Sequence, residues 1–202
     1  MGRPKIGEVR REQILAAFET CVVRDSLAQT TLQKVAVESG LPRSLVRYHI
    51  GNRSDMVTLL TDRMMERAQD SLSKKLPKTR TTNIQDLLDF LFSKGFSDQT
   101  ANLIVPELWH LAIRDNHIKQ RLTKLYQRIE VMLVHQMKAD GLGQNDSERH
   151  GVAFALVSLA YGNASLSWLE LRDKDMTEPR QMANSLVERL LPAKSPNRET
   201  FK

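Results

Sequence analysis

The sequence holds a single cysteine, Cys21, among its 202 residues. That excludes an internal disulfide framework and a cysteine-based zinc site, and it fits a reducing compartment. Glycine and proline are also sparse, at nine and seven residues, so little interrupts the chain. No strand-like alternation persists anywhere, and no internal repeat occurs. The histidines at 49, 110, 117, 135 and 150 show neither H-E-x-x-H nor a paired metal spacing. A G-x-S-x-G elbow and a glycine-rich phosphate loop are both missing. These absences leave no catalytic residue, no metal ligand set and no cofactor to nominate, and the chain reads as a non-enzyme. The opening "MGRPKIGEVRREQ" lacks the apolar core of a signal peptide, and Ile6 spoils the myristoylation pattern. A cytoplasmic protein is therefore expected.

One long uncharged run calls for a membrane test. "GVAFALVSLAYGNASLSWL", residues 151–169, carries no charge over nineteen positions. Ser158, Gly162, Asn163, Ser165 and Ser167 make it only moderately apolar. Small residues at these places suit close packing of helices in a bundle, so no membrane partner is expected.

What is present points to helices. Hydrophobic residues make up 41% of the chain, enough for a sizeable core. Periodicity predicts an all-α protein of about nine helices, over 8–24, 31–38, 42–50, 53–72, 84–95, 98–114, 116–139, 146–171 and 177–191. Thr30 or Thr31 is placed to cap the second helix, and Gly40 to end it in a left-handed conformation. Pro42 suits the first turn of the third helix, and Pro106 is expected to kink the sixth.

The formal charge of +6 favours anionic partners without choosing between nucleic acid and membrane surface. The choice comes from residues 39–54, where no acid occurs between Glu38 and Asp55. Two short helices joined by a glycine-containing turn form a helix-turn-helix. Ala36 lets the helices approach, and Leu41, Leu45 and Val46 are expected to face inward. Arg43, Ser44, Arg47 and Tyr48 then lie on the exposed side of the second of these helices. A helix fits the major groove of DNA, and arginine can bond a guanine edge in two places. Arg53 opens the next helix, where free N–H groups and the helix dipole favour a phosphate. Arg3 and Lys5, on a proline-stiffened arm, are placed to enter a minor groove.

The run "TTLQKVAVESGLPRSLVRYHIGNRSDMVTLL", residues 30–60, resembles the N-terminal domain of the TetR family of transcriptional regulators. Thr31, Ala36, Gly40, Leu41, His49, Arg53 and Val57 stand at matching positions. The pattern departs at Pro42 for serine, Ser44 for glycine, Arg47 for tyrosine, Ile50 for phenylalanine and Arg53 for lysine. Arg47 adds a cation where the family presents a phenol, so a guanine-containing half-site and a steeper salt dependence are expected. The resemblance implies that Thr31 and Arg53 clamp phosphates, while Pro42, Arg43, Ser44, Arg47, Tyr48 and His49 lie on or beside the groove. "LWHLAIRDNHIKQRL", residues 108–122, is similar to the corresponding helices of the subgroup that includes choline-responsive repressors.

The resemblance also implies a division into a DNA-binding domain at 1–54 and a ligand-sensing, dimerising domain at 55–202. The residues support the second part independently. Within the helix at 146–171, residues 151–169 are apolar nearly all round and must be covered, and Met182, Leu186, Val187, Leu190 and Leu191 offer a face on the last helix. These two helices from each of two chains would make a four-helix homodimer interface. Trp109, His110, Tyr161 and Trp168 are candidates for an effector pocket, and equally for core or interface packing. The expectation is a homodimeric regulator, a repressor released from its double-stranded DNA operator by a small-molecule effector. The alternative is a ligand-independent DNA-binding or architectural protein with a solidly packed C-terminal part.

Overall fold

The computed structural model describes residues 6–76, 81–93, 99–167 and 177–191. Among the described residues the chain is all-α, with nine helices and no strand. They are α1 (Ile6–Asp25), α2 (Leu32–Ser39), α3 (Arg43–Ile50), α4 (Arg53–Lys75), α5 (Ile84–Leu91), α6 (Gln99–Ala112), α7 (Asn116–Ala139), α8 (Asp146–Leu166) and α9 (Thr177–Glu188). The helix predicted over 84–95 stops at Leu91, where the Ser93 hydroxyl donates to the Phe90 carbonyl and closes the last turn. The expected extension of α8 to 171 lies outside the described residues.

The helices divide between two compact units. The first comprises Met1–Ser73 and Ser97–Leu125, and the second Lys74–Phe96 and Tyr126–Lys202. In the first unit α1 packs against α2, α3 and α6. Its core holds Ile14, Phe18, Val35, Val46, Met56 and Leu60, all buried. Burying each such side chain contributes about 1.5–3 kcal/mol.

The turn between α2 and α3 is set locally. Thr31, in extended backbone, accepts the Lys34 N–H at 3.2 Å and caps α2, a contact typically worth about 1 kcal/mol. Gly40 ends α2 at φ +65°, its N–H bonded to Val37 O and the Leu41 N–H bonded to Ala36 O. That pair of bonds is the Schellman arrangement. A Cβ at Gly40 would meet nothing within 4 Å, so the backbone angle, not space, calls for glycine there. Pro42 takes the cap position just before α3 and offers no side-chain bond.

Ion pairs tie α4 to its neighbours within this unit. Glu19 on α1 is buried, and its carboxylate takes Arg63 Nε at 3.0 Å and Arg67 Nη1. Arg63 also pairs with Glu12, and Arg121 of α7 pairs with Asp62. Burial works against the charge on Arg63, and the two glutamates more than compensate, leaving its pKa raised. Cys21 lies buried in α1, and that burial pushes its thiol up despite the nearby Arg24.

In the second unit polar contacts fix the helix ends. Asn83 and Asp86 form a capping box at the start of α5. Asp140 accepts the Ile84 N–H at 2.6 Å, and Gln136 Nε2 donates to Thr82 O at 2.9 Å. Arg149 is buried and spends its guanidinium on Leu142 O, Gly143 O and Asp146, which holds the turn between α7 and α8. Arg180 on α9 reaches Asp89 and Gln85 on α5. α8 packs on α9, with Ala153, Leu156, Ala160 and Ala183 buried. The outer side of α8 is left open: Ser147, Gly151, Phe154 and Ser158 are exposed, with Phe154 at 68%. Met182 and Leu191 are exposed as well. No helix among the described residues is long and apolar enough to cross a membrane.

Candidate nucleic-acid interface

Helix α3 is short and strongly sided. At about 100° per residue its eight positions cover every direction once, and only two are buried. Val46 and Ile50 are the anchors to the core. Arg43, Ser44, Arg47 and Tyr48 are exposed, Tyr48 at 83%, and Pro42 just ahead of them is exposed too. His49 is half-buried and meets the Tyr48 ring edge-on, with centroids 5.1 Å apart and planes at 79°. Leu45, expected to face inward, is 38% exposed instead. The reason is geometric: it lies about 100° from Val46, outside the narrow buried arc of so short a helix.

The charges around α3 are arranged to leave its cations free. Among the described residues, neither the Arg43 nor the Arg47 guanidinium has a hydrogen bond or an ion pair. The acids that bracket the segment are both occupied. Glu38 takes Arg24 Nη1 at 2.7 Å, and Asp55 Oδ2 accepts the Asn52 N–H at 2.8 Å. Asp25 pairs with Arg24 and Lys34, and the Arg24 guanidinium in particular holds its carboxyl below the usual range. No side-chain oxygen covers the first N–H groups of α3, so they add partial positive charge to the same surface.

Thr31 is exposed at the start of α2, and its cap bond uses the hydroxyl as acceptor only. The O–H remains able to donate to a phosphate oxygen. Arg53 is placed differently. Its guanidinium turns back onto the loop after α1, with Nη2 donating to Leu27 O and Nε to Thr30 O. The start of α4 is also capped from within the chain, since Asn52 Oδ1 accepts the N–H groups of Ser54 and Asp55. Arg53 thus ties α4 to the loop that leads into α2. Arg3 and Lys5 lie outside the described residues.

Three of the four residues considered for an effector pocket are described, and they fall in both units. Trp109 and His110 are neighbours on α6 in the first unit, both exposed. Tyr161 belongs to the second unit, where it meets Tyr126 edge-on at 6.3 Å. Trp168 lies outside the described residues. Sequence reasoning missed one polar group there: the buried amide nitrogen of Asn163 on α8 has no hydrogen-bond partner. No cluster of His, Cys, Asp and Glu among the described residues is arranged to hold a metal ion.

No protein-family model and no curated protein sequence matches the chain. Solved structures match it along most of its length. A TetR transcription regulator from Haloarcula marismortui is 19% identical, with a TM-score of 0.78, covering 92% of this chain and 100% of its own. GusR of Salmonella enterica is 19% identical, with a TM-score of 0.74, over 93% and 100%. A transcriptional regulator of Saccharomonospora viridis in complex with choline is 18% identical, with a TM-score of 0.71, over 90% and 96%. The chain has the fold that these regulators share.

Proposed function

We propose that the protein is a sequence-specific, DNA-binding transcriptional regulator that works as a homodimer. The observation that carries this is α3. It is anchored by Val46 and Ile50 and presents two uncommitted arginines beside Ser44 and Tyr48, with the flanking acids engaged by other partners. Such a helix is built for the major groove, and Thr31 at the start of α2 suits the phosphate backbone. Residues 1–54 are the DNA-binding domain in this reading, and residues 55–202 sense and dimerise.

The dimer rests on the outer side of α8. Small residues at 147, 151 and 158 surround the exposed Phe154, and Met182 of α9 adds apolar area. Two copies related by a two-fold axis would cover this surface and present two α3 helices to a two-fold operator. Regulation is proposed as release: the protein represses until a small molecule binds. α4 starts beside α3 and runs for 23 residues. An effector that prefers one tilt of α4 would alter the spacing of the two α3 helices. A coupling of about 1–3 kcal/mol is enough to shift operator occupancy. Trp109, His110, Tyr161 and Trp168 are the proposed effector contacts. Choline is a sensible first probe, because a tryptophan face holds a quaternary ammonium and one similar structure contains that ligand. A small molecule that releases DNA would exclude the ligand-independent reading.

Selection of bound genomic DNA fragments tests the reading directly. Enrichment of one motif with two-fold symmetry is expected, and random recovery would refute it. On that motif Arg47→Ala should cost about 1–3 kcal/mol, while its loss on random DNA should be smaller. Equal losses on both would leave Arg47 as a phosphate contact only.

A further inference from the structure

The exposed arc of α3 is chemically divided. Ser44 and Tyr48 point most directly away from the buried anchors Val46 and Ile50. Arg43 and Arg47 lie on one flank of that pair, and Leu45 lies on the other, next to the half-buried His49. Leu45 is 38% exposed, so part of an aliphatic side chain sits in water on a surface that otherwise offers cations and hydroxyls. In the free protein that exposure stabilises nothing. A leucine has no donor or acceptor, so it cannot read the polar edges of guanine, adenine or cytosine. The major groove displays one apolar group that it can read, the C5-methyl of thymine.

We propose that Leu45 is a specificity-determining residue that packs on the C5-methyl group of a thymine in each half-site. Guanine recognition falls to the arginine flank of α3 and thymine recognition to the leucine flank. The half-site therefore contains both bases, read by opposite sides of one helix. This rests on the DNA-binding reading above.

Deoxyuridine differs from thymidine only by that methyl group. Replacing each operator thymine by deoxyuridine in turn, against the unaltered protein, tests the proposal without a variant that could misfold. One thymine per half-site should respond, with binding weakened about fourfold for each methyl removed, as burial of one carbon group suggests. Changing both half-sites together should weaken binding roughly fifteenfold if the sites are independent. Leu45→Ala should retain binding through the arginines yet become indifferent to the same thymine-to-uracil change. Its helical content and melting temperature confirm that it folds. Uniform indifference of the unaltered protein to deoxyuridine would overturn the assignment, and so would undiminished sensitivity in Leu45→Ala. If no DNA motif is selected at all, the DNA-binding reading itself fails and Leu45 falls with it. Motif binding with no methyl effect refutes only the role of Leu45.

Discussion

Replacing Phe154 with aspartate is expected to split the proposed dimer and to cut operator affinity by about two to four orders of magnitude. The size follows from bivalency: in that dimer two linked α3 helices would bind as one unit, and separating them would remove the effective concentration of the second. Phe154 is largely exposed on α8 within one chain, so the fold of that chain does not need it. In a two-fold pair the same position would face its own copy, and two aspartates there would be buried against each other without partners. Sedimentation equilibrium should report a monomer of unchanged helical content, and a mobility-shift assay should report the lost affinity. A variant that remains dimeric with undiminished affinity would show that α8 is not the interface. A milder Phe154→Ala should weaken dimerisation without abolishing it.

Glu19→Ala is expected to be the most destabilising single change among the charged residues of the first unit. Its carboxylate is buried between Arg63 and Arg67, and among the described residues no other acid pairs with both. Breaking a buried pair from one side costs about 3–5 kcal/mol. Glu12 still serves Arg63, and Arg67 is partly open to solvent, so a loss of about 2–3 kcal/mol is the better figure. For a chain of this size that lowers the melting temperature by about 4–12 °C. Scanning calorimetry on Glu19→Ala and Glu19→Gln separates the parts: glutamine keeps the shape and one acceptor and should recover some of the loss. An unchanged melting temperature for the alanine variant would mean that the network adds nothing. The same variant loosens the tie between α1 and α4. If α4 transmits the effector signal, operator affinity should fall while binding of effector to the free protein is less affected.

The two predictions draw on features of different legibility. The caps and turns around α2 could be read directly from the chain, because their causes lie within a few residues. Thr31 caps the N–H three positions on, Gly40 donates to the carbonyl three positions back, and Leu41 donates to the one five back. The free face of α3 was legible for a similar reason, since a run without acids leaves cations with few local partners. What could not be read depends on distance along the chain. Arg53 bonds carbonyls 23 and 26 residues away, so the sequence announces a cation but not that its guanidinium turns back onto the loop after α1. Glu19 meets arginines 44 and 48 residues later, and nothing near it distinguishes it from an ordinary solvated acid. Leu45 failed for a third reason. Helical periodicity ranks positions by direction, but the width of the buried arc depends on what packs there, and for α3 it spans only Val46 and Ile50.

Cys21 gives the protein an internal gauge. It is the single thiol of the chain, it sits in the core of the first unit, and its burial disfavours the reactive thiolate. A thiol reagent can therefore modify it only when that unit opens, so the labelling rate measures the opening equilibrium. With DNA or effector bound, the same rate would report how much each ligand tightens the packing around α1, with no engineered probe.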